Sequence, residues 1–323
     1  MPQSEFNIIE AYFTHQQVRR DDVTLGIGDD AAILTVPAQQ QLLIAIDTLV
    51  SGVHFPSDTA AEDIAYKALA VNLSDMAAMG AEPAWFTLAL SMPHADSQWL
   101  QGFAKGLFEL AAQYQLQLIG GDTTQGPLTV SIQIAGYVPV GTALTRSSAK
   151  PGDGIYVTGC LGDAALGLRC LQRRDKYPAD MSAIARLNRP QARVEIGLQL
   201  REIASACIDI SDGLIADLSH ILKASHVGAR LDRTLIPLSK SMQALCEADE
   251  QAYALALSGG DDYELCFCVA PDKEQKLNSI LTDNAVGITR IGQIEAGSGL
   301  NLYAGDRPIS MAQMSGYEHF SGE

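Results

Sequence analysis

Thr145-Arg146-Ser147-Ser148-Ala149-Lys150-Pro151-Gly152-Asp153 is the polar stretch that divides this chain. Hydroxyl, charged, Pro and Gly residues clustered between apolar segments mark a loop or linker. On both sides of it a strand-and-helix pattern starts afresh, which sets expected domains at 1–144 and 145–323. Before it, Val23 to Leu34 reads as a strand broken by the Gly26-Ile27-Gly28-Asp29-Asp30 turn. Leu42 to Asp47 reads as an apolar strand ending in an acid. Thr59-Ala60-Ala61-Glu62 is a capping box opening a helix to about Met79. Ala84 to Met92 is a strand, and Leu100, Phe103, Leu107, Leu110, Ala111 and Tyr114 repeat at helical spacing. Leu116 to Ile119 is a short strand stopping at Gly120-Gly121-Asp122, and Thr129 to Val138 alternates like a half-buried strand. After the boundary come strand Ile155 to Thr158, a helix beyond Pro190, strand Cys207 to Ile210 and helix Leu214 to Ala224. Apolar Tyr263 to Val269 and further strands past Gly287 complete an α/β (α+β) chain of two domains.

Composition narrows the function. A chain of 323 residues with 47% hydrophobic content holds enough apolar surface for two cores. A formal charge of −16 excludes the basic footprint that a nucleic-acid partner requires. Met1 to Glu10 has no basic n-region followed by an apolar stretch, and no apolar run reaches the roughly 18–20 residues of a membrane span. The six cysteines lack C-x-x-C spacing and read as reduced, packed thiols. The expected compartment is the cytoplasm.

Acids carry the chemistry. They stand at the ends of apolar runs, usually beside Gly or Ser: Asp29 and Asp30, Asp47, Asp75, Asp122, Asp212, and Asp261 with Asp262. Read singly, each is equally a turn or helix-cap residue. Asp75 differs, because it shares a helix face with Ala68, Val71, Asn72 and Met79 and so interrupts an apolar stripe. A buried carboxylate needs a cation or dense hydrogen bonding. Two carboxylates 4 Å apart repel by roughly 4 kcal/mol at an effective dielectric near 20. If the acids converge, they call for divalent cations with hard oxygen ligands, and Mg²⁺ with a phosphate substrate is the expected pairing. Gly120-Gly121, Gly159-x-x-Gly162 and Gly259-Gly260 either let backbone amides approach phosphate oxygens or simply form tight turns. No G-x-x-x-x-G-K-[ST] and no H-R-D or D-F-G signature occurs, which excludes P-loop and protein-kinase mechanisms. His54 is either a loop residue or part of the cleft near Asp47. Arg146 is either a phosphate clamp or an ordinary surface cation. Tyr317 is either packing or a ligand contact.

Several ordered blocks carry a resemblance across nearly the whole chain. They are Gly26-Ile27-Gly28-Asp29-Asp30-Ala31, Asp47-Thr48-Leu49-Val50 with His54-Phe55, and Lys67-Ala68-Leu69-Ala70-Val71-Asn72-Leu73-Ser74-Asp75. Gly120-Gly121-Asp122-Thr123-Thr124, Leu144-Thr145-Arg146, Asp209-Ile210-Ser211-Asp212-Gly213-Leu214 and Ser258-Gly259-Gly260-Asp261-Asp262-Tyr263-Glu264-Leu265 complete the set. In this order they resemble the thiamine-monophosphate kinases of the aminoimidazole ribonucleotide synthetase-like ATP-binding superfamily. The resemblance implies ATP-dependent phosphorylation of thiamine monophosphate to thiamine diphosphate. It implies an N-terminal ATP- and Mg²⁺-binding domain, a C-terminal α/β domain completing the substrate site, and a homodimer joined through N-terminal sheets. It implies that Asp30, Asp47, Asp75, Asp122, Asp209 and Asp212 hold several Mg²⁺ ions. Gly121, Asp122, Arg146 and Ser211 would line the ATP site, and His54, Asp261 and Tyr317 the thiamine monophosphate site.

This chain departs from the family pattern twice. Ala45 and Ile46 precede Asp47 where relatives often carry hydroxyl residues, so a metal contact at Ile46 is open only to its carbonyl oxygen. Asp261 stands where Glu is also common, which shortens its reach. Alternatives kept open are another ATP-using member of the superfamily, an acidic metal-binding protein, and a Mg²⁺-dependent phosphohydrolase. The first cysteine, Cys160, comes too late for the reactive N-terminal-region residue of a selenophosphate synthetase.

Overall fold

The computed structural model describes residues 4–172, 180–248, 252–283 and 286–310. Contacts group the chain into two units, Met1–Met76 with Ala81–Gly141, and Ala77–Gly80 with Thr142–Glu323.

The first unit runs α1 (Glu5–Ile8), β1 (Val23–Leu25), β2 (Ile33–Leu34), β3 (Gln40–Val50), α2 (Ala61–Ala78), β4 (Glu82–Met92), α3 (Ser97–Gln113), β5 (Gln117–Gln125) and β6 (Thr129–Pro139). Its sheet has the order β3-β6-β4-β5, antiparallel except for the parallel pair β4–β5. A parallel pair needs a crossover, and α3 supplies it. Asp96 caps that helix by accepting from the Trp99 amide at 2.7 Å, while Leu100, Phe103, Leu107 and Leu110 bury its inner stripe.

One face of the sheet carries Val130, Ile132 and Ile134 of β6 and Phe86, Leu88 and Leu90 of β4, all buried. Helix α2 lies against this face, since a Cβ built on Gly136 of β6 would come within 3.0 Å of the Met76 sulfur. The other face is covered at one end by the β1–β2 hairpin. There Trp85 and Tyr137 meet edge to face at 5.2 Å, and both donate to the Asp22 carboxylate at 3.0 Å. Arg20 closes the same cluster on Asp22 at 2.8 Å. This polar clamp seats the hairpin whose turn carries Asp29 and Asp30.

Two strands run further than their apolar stretches imply. Asp47 lies inside β3, because Thr48, Leu49 and Val50 still pair with Ser131, Val130 and Thr129. Gly120, Gly121 and Asp122 lie inside β5, which passes an irregularity at Ile119 and stays paired with β4 as far as Gln125. Strand pairing supplies the order that an apolar run would otherwise mark, so neither acid ends its strand.

The second unit contains β7 (Gly154–Thr158), α4 (Asp163–Gln172), α5 (Met181–Asn188), α6 (Val194–Leu200), β8 (Ala204–Asp209), α7 (Leu214–Ser225), β9 (Gly228–Asp232), α8 (Lys240–Ala248), α9 (Tyr253–Ser258), β10 (Leu265–Val269), α10 (Glu274–Asp283), β11 (Ile288–Glu295), β12 (Gly299–Ala304) and β13 (Arg307–Ile309). Its seven-stranded sheet has the order β13-β12-β9-β11-β7-β10-β8. Only β12 and β9 run parallel. Strands β7 and β10 are buried along their whole length. Cys207, Cys266 and Cys268 pack there as free thiols, and burial pushes all three up from the ordinary thiol range.

Candidate active site

In the first unit the acids fall into two places. Asp47 on β3 and Asp75 on α2 stand within hydrogen-bond reach of each other, and both are half-buried. Burial raises the Asp47 carboxyl above its usual range, and the hydrogen bond with Asp75 pulls it back in part. Two carboxyl groups in contact share a proton or a cation; they do not stay ionised side by side without one. One helical turn before Asp75, the Asn72 side chain is fully buried. Its amide nitrogen donates to the Ala68 carbonyl at 3.0 Å, and its Oδ1 has no partner. A buried oxygen of this kind is costly unless something accepts it as a ligand.

The second place is a cleft of about 510 Å³ between the hairpin turn and β5, lined among others by Gly28, Asp29, Asp30, Gly121 and Asp122. Asp29 turns back to accept from the Asp30 amide at 2.8 Å, a local turn contact. Asp30 and Asp122 are exposed. Gly121 has an internal reason to be glycine: its φ is 155°, and a Cβ there would lie 1.9 Å from the Leu88 carbonyl oxygen.

The two places are distinct. Asp47 and Asp122 sit on opposite edge strands with β6 and β4 between them, a separation of about 14 Å at the usual strand spacing. Ile46 points away from the Asp47 side and is 64% exposed, and an edge strand leaves alternate carbonyls free to face outward. His54 is locked in the turn after β3, where its Nδ1 accepts from the Val50 amide at 3.0 Å. In the neutral ring this leaves the proton on Nε2.

In the second unit, Asp209 ends β8 and is buried, while Ser211 and Asp212 follow half-buried. Asp261 joins them, its amide donating to the Ser211 carbonyl at 2.8 Å and its Oδ1 accepting from the Tyr263 hydroxyl at 3.1 Å. Gly260, Asp261 and Tyr263 all have positive φ, at 68°, 62° and 50°. A bulky aromatic in that region is strained and persists only where its surroundings hold it. Arg146 is exposed, one residue beyond the Thr145 carbonyl that accepts from Cys207 on β8 at 2.9 Å. Tyr317 lies outside the described residues.

Two residues in this loop system, Asp217 and Glu264, escape the sequence reading, while Asp262 stands as the turn or capping residue its position suggests. Asp217, in the first turn of α7, accepts from the amides of Ser211, Asp212 and Gly213. Burial, then the nearby Asp209 and Asp212 charges, push its carboxyl up to about 7. Asp262 is buried and accepts from the Gly162 amide at 3.0 and 2.9 Å, as a capping residue does. Glu264 is fully buried and accepts from Arg186, Arg193 and the Thr158 hydroxyl. The sequence signals for Asp217 are its position just after Ser-Asp-Gly and its place at a helix start. Glu264 has none, since its partners are 71 to 106 residues away.

Comparison with known proteins gives the family and the fold. The N-terminal domain model of the AIR synthase related proteins matches residues 28–138, and the C-terminal domain model matches residues 150–305. Thiamine-monophosphate kinase of Escherichia coli (strain K12) is 51% identical over 322 residues, covering 98% of both chains. The chain belongs to the thiamine-monophosphate kinase family. It is accordingly an enzyme, a phosphotransferase of the thiamine-phosphate kinase kind, with a two-domain AIR synthase-like fold. The crystal structure of thiamine-monophosphate kinase from Stenotrophomonas maltophilia K279a, 49% identical, superposes with a TM-score of 0.83 over 88% of this chain and 92% of that one. AaThiL complexed with AMPPCP and TMP, 29% identical, matches at 0.77 over 91% and 92%. No helix among the described residues is long and apolar enough to cross a membrane.

The donor set suits magnesium. Among the described residues no three His, Cys, Asp or Glu side chains gather into a ready cage. Mg²⁺ is commonly held by one or two carboxylates, with water and substrate phosphates completing its octahedron. Paired or neighbouring acids such as Asp47 with Asp75, and the unpartnered Asn72 oxygen, fit that habit.

Proposed function

We propose that this chain transfers the terminal phosphoryl group of ATP directly to thiamine monophosphate, yielding thiamine diphosphate, with the acids assisted by several Mg²⁺ ions. The observation that carries the reading is the Asp47–Asp75 carboxyl pair, an arrangement that needs a shared proton or a shared cation and that Mg²⁺ would satisfy with both groups ionised. Asp30, Asp122, Asp209 and Asp212 serve as further metal ligands, with the Ile46 carbonyl oxygen, next to Asp47 on β3, as a neutral ligand. Gly121, Asp122, Arg146 and Ser211 face ATP, and His54 and Asp261 face the acceptor.

Bound Mg²⁺ would neutralise the repulsion between two polyanions and the charge that develops during transfer. The acceptor is a phosphate monoester, whose second pKa lies near 6. At neutral pH it is mostly dianionic and already nucleophilic, so no side-chain base has to remove a proton. The residues of the chain are left with positioning. The exposed Arg146 guanidinium supplies a forked donor for phosphate oxygens. The Asp261 carboxylate, held on its ledge, complements the cationic thiazolium ring of the acceptor.

A homodimer belongs to the same reading. Leu42, Ile44 and Ile46 are 42, 59 and 64% exposed along the edge strand β3. An apolar strand edge of this length favours pairing with a second copy. The domain roles assigned to 1–144 and 145–323, and a cytoplasmic location, are also part of it.

The test is direct. Purified protein is incubated with Mg²⁺, ATP and thiamine monophosphate, and products are resolved by chromatography. Thiamine diphosphate is expected, at a rate that vanishes with EDTA. Intact ATP without product sinks the kinase reading, and phosphate release independent of acceptor replaces it with a hydrolase.

A further inference from the structure

Arg146 stands on a loop with little packing of its own. Thr145, Arg146, Ser147 and Ser148 are all exposed, and only Ala149, 4% exposed, reaches the core of the second unit. A short polar stretch of this kind moves unless hydrogen bonds tie it down. Here β8 and α7 supply them. The Cys207 amide on β8 donates to the Thr145 carbonyl at 2.9 Å. The Ser225 hydroxyl, in the last turn of α7, donates to the Arg146 carbonyl at 3.0 Å and accepts from the Ala149 amide at 3.2 Å.

A serine hydroxyl has one proton and two lone pairs. Ser225 spends its proton on one side of this loop and a lone pair on the other. Its two partners are 79 and 76 residues away, so the contact is no local helix-end cap. Between them the chain takes a shape it does not adopt freely. The Thr145 hydroxyl donates to the Ser147 carbonyl at 2.9 Å, and Ser148 has a φ of 107°, a value rare for a residue with a side chain. Such a conformation persists where its surroundings hold it, and the bond from Ser225 to the next residue, Ala149, holds it here.

We propose that Ser225 is a positioning residue for ATP: its hydroxyl fixes the Arg146 carbonyl and so aims the guanidinium at phosphate oxygens. This rests on the reading of Arg146 as an ATP contact given above. A long, flexible side chain rooted in a mobile loop pays an ordering cost when it binds, and a rooted one presents its forked donors at less cost. Helix α7 starts just after Ser211 and Asp212, two other residues assigned to the nucleotide and its metal, and ends at Ser225. One helix thus carries the start of the Ser-Asp-Gly loop at its first turn and the anchor of Arg146 at its last.

Kinetics, a double-mutant cycle and limited trypsin digestion test the proposal. Ser225→Ala is expected to raise the KM for ATP about fivefold, with kcat and the KM for thiamine monophosphate within about twofold of the parent. Ser225→Thr keeps the hydroxyl and is expected to stay near the parent; a threonine variant as impaired as the alanine one counts against the idea. Ser225→Cys, a poor donor and acceptor, gives the alanine readouts where that variant does not fold. In an Arg146→Ala background the same change should add nothing to the KM for ATP, because Ser225 acts through that arginine. Effects that add, or an unchanged KM for ATP in Ser225→Ala, overturn the proposal. Trypsin reads the loop without any nucleotide. Its cleavage after Arg146 should be about tenfold faster in Ser225→Ala, with cleavage elsewhere unchanged, and a parent rate at this bond also overturns the proposal. Arg146→Ala with a parent KM for ATP would sink the nucleotide role of Arg146 and with it that of Ser225, while the trypsin result would still say whether Ser225 holds the loop.

Discussion

Buried acids in the two units are answered in different ways. In the second unit three of them meet donors made for them: Glu264 has two guanidinium groups and a hydroxyl, Asp262 an amide, and Asp217 three amides. In the first unit the neighbour of Asp47 is a second carboxyl, that of Asp75, with an unpartnered amide oxygen one turn away. An acid matched by donors from its own chain holds the fold. An acid set against another acid is held in reserve for a ligand, at a cost to the fold that carries it.

The sharpest way to break this comparison is to remove one acid from each kind. Asp75→Ala is expected to lower turnover by at least a thousandfold, about 4 kcal/mol in the barrier. The unfolding midpoint without metal should stay level or rise. Retention of more than a tenth of the activity would take Asp75 out of the shared ligand set. Glu264→Ala should behave the other way round. It strands the Arg186 and Arg193 guanidiniums and should cost about 3–5 kcal/mol in urea unfolding. A loss below 1 kcal/mol would show that Glu264 is no anchor.

Asp180 gives the mildest contrast, a half-buried acid matched by donors. It caps α5 by accepting from the amides of Ser182 and Ala183 and the Ser182 hydroxyl. Those bonds, the Ser182 hydroxyl first, lower its carboxyl to about 2, from 3.8. A depressed folded-state value means that the stabilisation is fully present above about pH 4 and is lost as pH falls through about 2. Asp180→Ala should cost about 1 kcal/mol at pH 7. Its difference from the parent in chemical unfolding should shrink as the solution is acidified through that window.

Much of this architecture is legible in the sequence because it is local. The Leu100–Leu110 periodicity gives α3, and the alternation in Thr129 to Val138 gives β6. The acid-bearing strands are harder. An apolar stretch ends at Asp47 and at Ile119, whereas pairing with β6 and β4 carries both strands onward. The Asp47–Asp75 contact is legible only in part: the odd acid on an apolar helix face is visible, but its partner is fixed by how α2 lies on β3. Asn72 and Glu264 are silent for the same reason, since burial and distant partners give them their meaning.

Gly120 and Gly121 are neighbours with unequal genetic freedom. Around Gly120 a Cβ would meet nothing within 4 Å, whereas at Gly121 it would collide with the β4 backbone. Every missense change of a glycine codon adds a Cβ. Descendants of this gene can therefore drift at the first position, while at the second the ancestral codon can change only silently.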